Sequence, residues 1–238
     1  RLPLPGAEVI PDRMNDLDSV LKARKLGSID IFKENVVLMG HSLGALTAIL
    51  ASGAKIDDQL EERCLKVLDN LSLTNLSSLL QCQLVDITLP DRKNMEDLSA
   101  IVGINSFGGL LWEENSYNQI NVPLFLTGGT FDLVTPSISE QLGLLLSVSS
   151  SQLSRVLLIE GASHFSPIRV DGQMSQSEAK DVFNLGESIV GYHPLSMQSL
   201  LASEITSFLE KLEEKKSIPS NTNLTKGGLK FHVLDRII

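Results

Sequence analysis

Residues Gly40-His41-Ser42-Leu43-Gly44 set a serine between two glycines in the pattern G-x-S-x-G. A neutral serine hydroxyl is a poor nucleophile until a base takes its proton, and a histidine base needs a carboxylate to fix its tautomer and balance its charge. Both follow later in the chain, in the order this arrangement requires: Asp132 in Thr127-Gly128-Gly129-Thr130-Phe131-Asp132, then His164 in Glu160-Gly161-Ala162-Ser163-His164-Phe165. The chemistry such a set predicts is acyl transfer. Ser42 attacks a carbonyl, His164 takes and returns the proton, Asp132 orients His164, and the Leu43 N–H stabilises the tetrahedral oxyanion. The pentapeptide alone is weak evidence, since at average residue frequencies it recurs by chance in roughly one chain in ten of this length. Its weight comes from the elements around it.

Asn35-Val36-Val37-Leu38-Met39, just ahead of the motif, reads as a short buried strand, and a helix follows through Leu46 to Ala51, ending at Gly53. A strand that turns so sharply into a helix forces Ser42 into a strained conformation, and glycine at 40 and 44 is expected to let the backbones pack. Further strand signals lie at 100–104, 122–126 and 155–159, the last two ending just before the Asp132 and His164 loops. Helical spacing places Leu17, Val20, Leu21 and Arg24 on one helix behind Asp12 and Asp16, residues 136–146 on another, and Leu200, Ile205, Phe208, Leu209 and Leu212 on a third. Alternating strands and helices with nearly continuous apolar strands predict an α/β domain on a parallel sheet covered on both faces.

Residues 55–97 break the alternation, being acidic at first and then leucine-rich, which predicts two or three short helices forming a cap insertion. Their leucines either line an acyl pocket or pack onto the body; periodicity does not separate the two. One domain is thus expected, divided into an N-terminal segment and helix (1–34), the nucleophile strand, elbow and helix (35–54), the cap (55–97), the rest of the core (98–213) and a polar tail (214–238). Residues 229–234 in that tail read as a stray edge strand or a frayed end.

The 238 residues are 42% apolar, with 20 basic and 29 acidic side chains and a formal charge of −9. That excludes disordered, collagen-like and disulfide-dense classes. It also argues against a nucleic-acid partner, whose footprint is basic. No apolar run approaches the roughly 18–20 residues needed to span a bilayer. The chain opens at Arg1 without a charged-then-apolar signal segment, so no compartment is assigned and the true N-terminus is expected upstream. Cys64 and Cys82 read as two buried thiols in preference to a bridge. No metal-ligand spacing and no phosphate-binding loop occurs, so no metal and no cofactor is expected. His41 is expected to shape the site rather than react, and His193 and His232 lack a carboxylate context. Glu160 is the alternative acid to Asp132, and Trp112 either borders the pocket or packs in the core.

The segments NVVLMGHSLGALTA, NLSSLLQCQL, GINSFG, VPLFLTGGTFDLVTP and LLIEGASHF resemble the α/β-hydrolase superfamily, in its dienelactone-hydrolase and platelet-activating-factor-acetylhydrolase-like branch of bacterial, cyanobacterial type. The resemblance runs from residue 12 to 212. It implies serine hydrolysis of a small-molecule ester without a cofactor. In acetylhydrolases of this branch the acid follows an earlier strand, where this chain has Asn105; asparagine has no carboxylate, so the role moves to Asp132. Asn105 joins Trp112 and Phe165 as pocket candidates. The full fold has about four strands before the nucleophile strand, and a loop there gives the second oxyanion N–H. Only 34 residues precede Asn35, so the resemblance implies the C-terminal part of a hydrolase, with four of about eight strands. The nucleophile strand is then an open edge, prone to association, in a chain of low stability or weak activity. The competing expectation is a non-catalytic fragment or binding module. Within the enzyme reading, ester, thioester and amide substrates remain open.

Overall fold

The apolar run after Asn35 forms strand β1 (Val36–His41), which passes directly into helix α2 (Leu43–Ala51) in the computed structural model. Residues 6–29, 35–69, 76–90, 95, 97–112, 120–148, 153–168, 194–214, 222–226 and 228–235 are described. β1 pairs in parallel with β2 (Leu98–Ile104), β2 with β3 (Leu124–Gly129), and β3 with β4 (Arg155–Ile159). The register sets His41 beside Ile104, Ile104 beside Thr127, and Gly129 beside Ile159. The carboxyl ends of all four strands therefore lie along one side of the sheet, where an open α/β sheet offers its crevice.

Two apolar layers cover the sheet. On one face α2, whose residues from Ala45 to Ala51 are all buried, packs with Ile10 and Met14 of helix α1 (Gly6–Lys25) against Leu38, Ile101 and Leu126. On the other, Met197, Leu200, Leu201 and Phe208 of helix α6 (Pro194–Glu214) meet Val102, Phe125 and Leu157, with the Phe125 and Phe208 ring centroids 5.1 Å apart. Strands buried on both faces explain the unbroken apolar runs of β2, β3 and β4. The result is a mixed α/β architecture with a six-stranded, mostly parallel sheet in the order β1-β2-β3-β4-β6-β5, where β5 is Thr222–Lys226 and β6 is Leu229–Asp235. Among the described residues, no helix is long and apolar enough to cross a membrane.

Several elements differ from the sequence expectation. The sheet gains two strands because residues beyond 214 are not simply a polar tail: β5 (Thr222–Lys226) and β6 (Leu229–Asp235) form a hairpin, and β6 lies between β4 and β5. Residues 229–235 alternate, so Leu229, Phe231 and Val233 face the α6 core, and the buried Arg155–Asp235 pair (2.7 Å) closes the β4–β6 junction. α1 starts at Gly6 with Pro11 inside it, earlier than its acidic residues suggested. β3 starts and ends later than 122–126, since Pro123 has no N–H to give and Thr127-Gly128-Gly129 continues the ladder. The single helix expected over 136–146 is a π-turn (Ile138–Leu142) followed by α5 (Gly143–Val148).

Helices α3 (Leu60–Asp69) and α4 (Leu76–Cys82) occupy the expected cap region, and Cys64 and Cys82 are joined by a disulfide rather than left as thiols. The two helices pack side by side, which brings the Cα atoms to 5.6 Å, within bridging distance. Leu60 and Cys64 are buried in the α1–α2 core, whereas Leu65, Leu68 and Leu76 are exposed. A cavity of about 460 Å³ lies at the C-terminal end of α2, bounded by Met14, Leu50, Leu60, Leu84 and Pro90. With a rise of about 1.5 Å per residue, the helix separates this cavity from its N-terminal end. Leu60 and Leu84 therefore line a space remote from Ser42.

Candidate active site

The turn from β1 into α2 is built on close backbone approach. A Cβ on Gly40 would stand 2.2 Å from the Gly44 carbonyl carbon, so only glycine fits at 40; at Gly44 a Cβ would meet nothing within 4 Å, so close packing does not explain glycine there. Ser42 takes φ 56° and ψ −122°, a strained conformation for a residue with a Cβ, held by its N–H donating to Ile104 O at 2.9 Å. Leu43 opens α2 without a side-chain cap, so its N–H belongs to the first-turn donors that no helix carbonyl reaches. Those donors favour negative charge beside the Ser42 hydroxyl.

Ser42 Oγ lies 3.0 Å from His164 Nε2, and His164 Nδ1 lies 2.9 Å from Asp132 Oδ2. Each hydrogen bond is satisfied in one sense only: Nδ1–H donates to the carboxylate, leaving Nε2 to accept from the serine. Side chains from three strand ends, distant along the chain, thus meet in one line. Asp132 accepts five donors. Oδ1 takes the N–H groups of Val134 and Thr135; Oδ2 takes His164 Nδ1, Thr135 Oγ1 at 2.7 Å and Asn105 Nδ2 at 2.5 Å. Burial alone would push this carboxyl upward, but the hydrogen bond and charge of His164, with the Asn105 and Thr135 donors, outweigh it and hold the group below the ordinary aspartate value.

His41 serves as a brace. Its Nε2 lies 2.9 Å from the His164 carbonyl oxygen, to which Nε2–H donates, and the two rings are 4.9 Å apart. Burial, followed by a smaller effect from the nearby His164, holds His41 below the usual histidine value against the opposing carbonyl bond and Asp132. Phe165 stands edge-on to the His164 ring at 5.2 Å and is exposed.

Two other pocket candidates are placed elsewhere. Trp112 is packed in the α1–α2 core, where its Nε1 approaches Gly108 within the space a Cβ would need. Asn105 sits beneath Asp132 rather than on a pocket wall, and is 1% exposed. Glu160, the alternative acid, turns to His232, which therefore does have a carboxylate partner, at 2.8 Å. His193 lies outside the described residues.

Thr135 was not foreseen, although Asp132-x-x-Thr135 is the spacing at which an Asp side chain accepts the N–H groups two and three residues on. Glu140 was not foreseen either: this buried carboxylate accepts from the N–H groups of Gly108 (2.9 Å) and Gly109 (2.7 Å) and from Gln81 Nε2 (3.1 Å), tying α4 to the loop after β2. Among the described residues, no group of three or more His, Cys, Asp or Glu is placed to hold a metal ion. The chain matches no protein-family model and no curated protein. An array of this geometry can move a proton from a serine hydroxyl to an imidazole whose rising charge faces a buried carboxylate.

Proposed function

We propose that the protein is a serine hydrolase of α/β-hydrolase type that cleaves a neutral or lipid-like carboxylic ester through an acyl-enzyme. The observation that carries this reading is the two-bond line from Ser42 Oγ through His164 to Asp132, at 3.0 and 2.9 Å. In the proposed reaction His164 Nε2 takes the Ser42 proton as Oγ attacks the ester carbonyl. The Leu43 N–H and the α2 N-terminus stabilise the oxyanion, and His164 returns the proton to the leaving alcohol. Water then repeats the sequence on the acyl-serine. Strain at Ser42 keeps its hydroxyl off the helix and available to an incoming carbonyl.

The rim of the site supports an uncharged substrate. Phe131, Leu133, Phe165 and Ile168, on the loops that carry Asp132 and His164, and Ile138, which opens the π-turn after the first loop, are exposed large apolar side chains. Between Thr127 and Ser139 the only Asp, Glu, Lys or Arg is Asp132, which is buried, and between Gly161 and Ile168 there is none. A small apolar ester is accordingly the partner favoured.

A second reading, a non-catalytic module, draws on the position of β1. Among the described residues this strand pairs on one side only, with β2, and Met39 is exposed. Such an apolar edge favours association with another strand.

A fluorophosphonate probe separates the two. The enzyme reading expects covalent labelling of Ser42, abolished in Ser42→Ala and strongly slowed in His164→Ala; an unlabelled wild-type protein rejects it.

A further inference from the structure

We propose that Asn105 is a positioning residue for the reaction: its side-chain amide is the neutral clamp that fixes the Asp132 oxygen facing His164. The inference rests on the ester-hydrolase reading. Asn105 leaves the carboxyl end of β2 with φ 48°, the left-handed region that asparagine enters more readily than most residues with a Cβ. Its backbone is fastened by the N–H donating to Thr127 O at 2.8 Å, and its carbonyl oxygen lies 3.3 Å from Thr135 Oγ1, whose one proton goes to Asp132. From that anchored backbone Nδ2 donates to Asp132 Oδ2, the oxygen that also receives His164 Nδ1–H and the Thr135 hydroxyl.

The other end of the amide is the telling feature. Asn105 Oδ1 is buried and, among the described residues, has no hydrogen-bond partner. A buried acceptor without a donor is destabilising, so a residue present only to fill space would be better apolar. The N–H end supplies what an apolar residue cannot: a donor to the carboxylate that adds no charge. The titratable groups near Asp132 are His164, bonded to it, and His41, which braces His164; Glu140, on the π-turn, is engaged with Gly108, Gly109 and Gln81. A lysine or arginine at 105 would compete with His164 for the negative charge, and an ionised carboxylate would repel Asp132. Asparagine avoids both. With Oδ2 held, the imidazole keeps Nε2 directed at Ser42.

The test compares wild type, Asn105→Leu and Asn105→Asp in the rate at which a fluorophosphonate probe labels Ser42 across pH, each corrected for the folded fraction by thermal unfolding. Asn105→Leu removes the donor, and labelling is expected to slow by about 10- to 100-fold at every pH, the scale of one lost hydrogen bond to a charged group. Asn105→Asp keeps the shape. While its carboxyl is protonated, the O–H can donate to Asp132 Oδ2 as the amide does; once that proton is lost to solvent, the two carboxylates repel. The ratio of the Asn105→Asp rate to the wild-type rate is therefore expected to fall as pH rises. A purely structural role predicts lower thermal midpoints with wild-type labelling per folded molecule and a pH-independent ratio, and that result overturns the inference while leaving the hydrolase reading intact. Failure of wild-type Ser42 to label removes the reading itself. Asn105→Asp is near-isosteric and keeps the inference falsifiable if Asn105→Leu does not fold.

Discussion

Two histidines of this chain bond to carboxylates near neighbouring strand ends, and the two regions differ in what surrounds the pair. In one, the His164 and Asp132 side chains are 6% and 0% exposed, Asp132 holds five donors, and Ser42 waits on the far side of the imidazole. In the other, His232 and Glu160 are 33% and 41% exposed and bonded at 2.8 Å. Water screens the second, and an exposed pair of this kind contributes at most about 1 kcal/mol. The first is shielded, so a charge that grows on its imidazole is met by a fixed carboxylate rather than by reorganising solvent. A histidine–carboxylate bond alone is common chemistry; burial distinguishes the candidate site, where the carboxylate also holds five donors and Ser42 stands in line.

The comparison breaks first at the carboxylates. Asp132→Asn is expected to lower the turnover of a p-nitrophenyl ester by about 10⁴-fold, by misassigning the imidazole tautomer. Glu160→Gln is expected to leave turnover within about twofold and to cost under about 1 kcal/mol. Equal losses in the two variants would dissolve the distinction between the regions.

In stability rather than turnover, the two glycines of the elbow also part company. Gly40→Ala places a methyl inside the Gly44 carbonyl and is expected to abolish activity together with the native turn. Gly44→Ala meets open space near the start of a helix and is expected to be neutral or to stabilise by about 0.5–1 kcal/mol. Thermal unfolding of the two variants checks the contrast.

The smallest effect is on pH. Asp132 is held below its ordinary value, so the stability it contributes is present above about pH 3.9 and is lost as pH falls through the native value. His41 is also held low, so protonation favours the unfolded chain; its contribution is complete above about pH 6.5 and declines below. The melting midpoint is expected to start falling below about pH 6.5 and to fall faster near pH 4. His41→Phe is expected to flatten the upper part of that curve. A midpoint that rises between pH 7 and 5.5 would contradict the His41 environment.

Much of the site was readable because it is made of strand ends. Ser42, Asp132 and His164 each follow a short apolar run, and parallel pairing brings the ends of such runs to one side of a sheet. What stayed hidden depends on partners far apart in sequence. Nothing local marks Asn105 as a donor to Asp132, since that bond needs β2 and β3 in register. Trp112 next to Gly108-Gly109 could not be assigned to core or pocket without the packing of the α1–α2 layer. The strand at 229–235 carried a period-two signal, but its place depends on Arg155, Asp235 and the edge of β4. The Cys64–Cys82 bridge similarly depends on α3 and α4 lying side by side.

The most direct test is the identity of the residue acylated during turnover. Acid-quenching the protein with a p-nitrophenyl ester and mapping peptides by mass spectrometry is expected to find the acyl group on Ser42, with Asp132→Asn depleting it and Glu160→Gln leaving it unchanged. Ester turnover with the acyl group on another residue, or persisting in Ser42→Ala, would contradict the account.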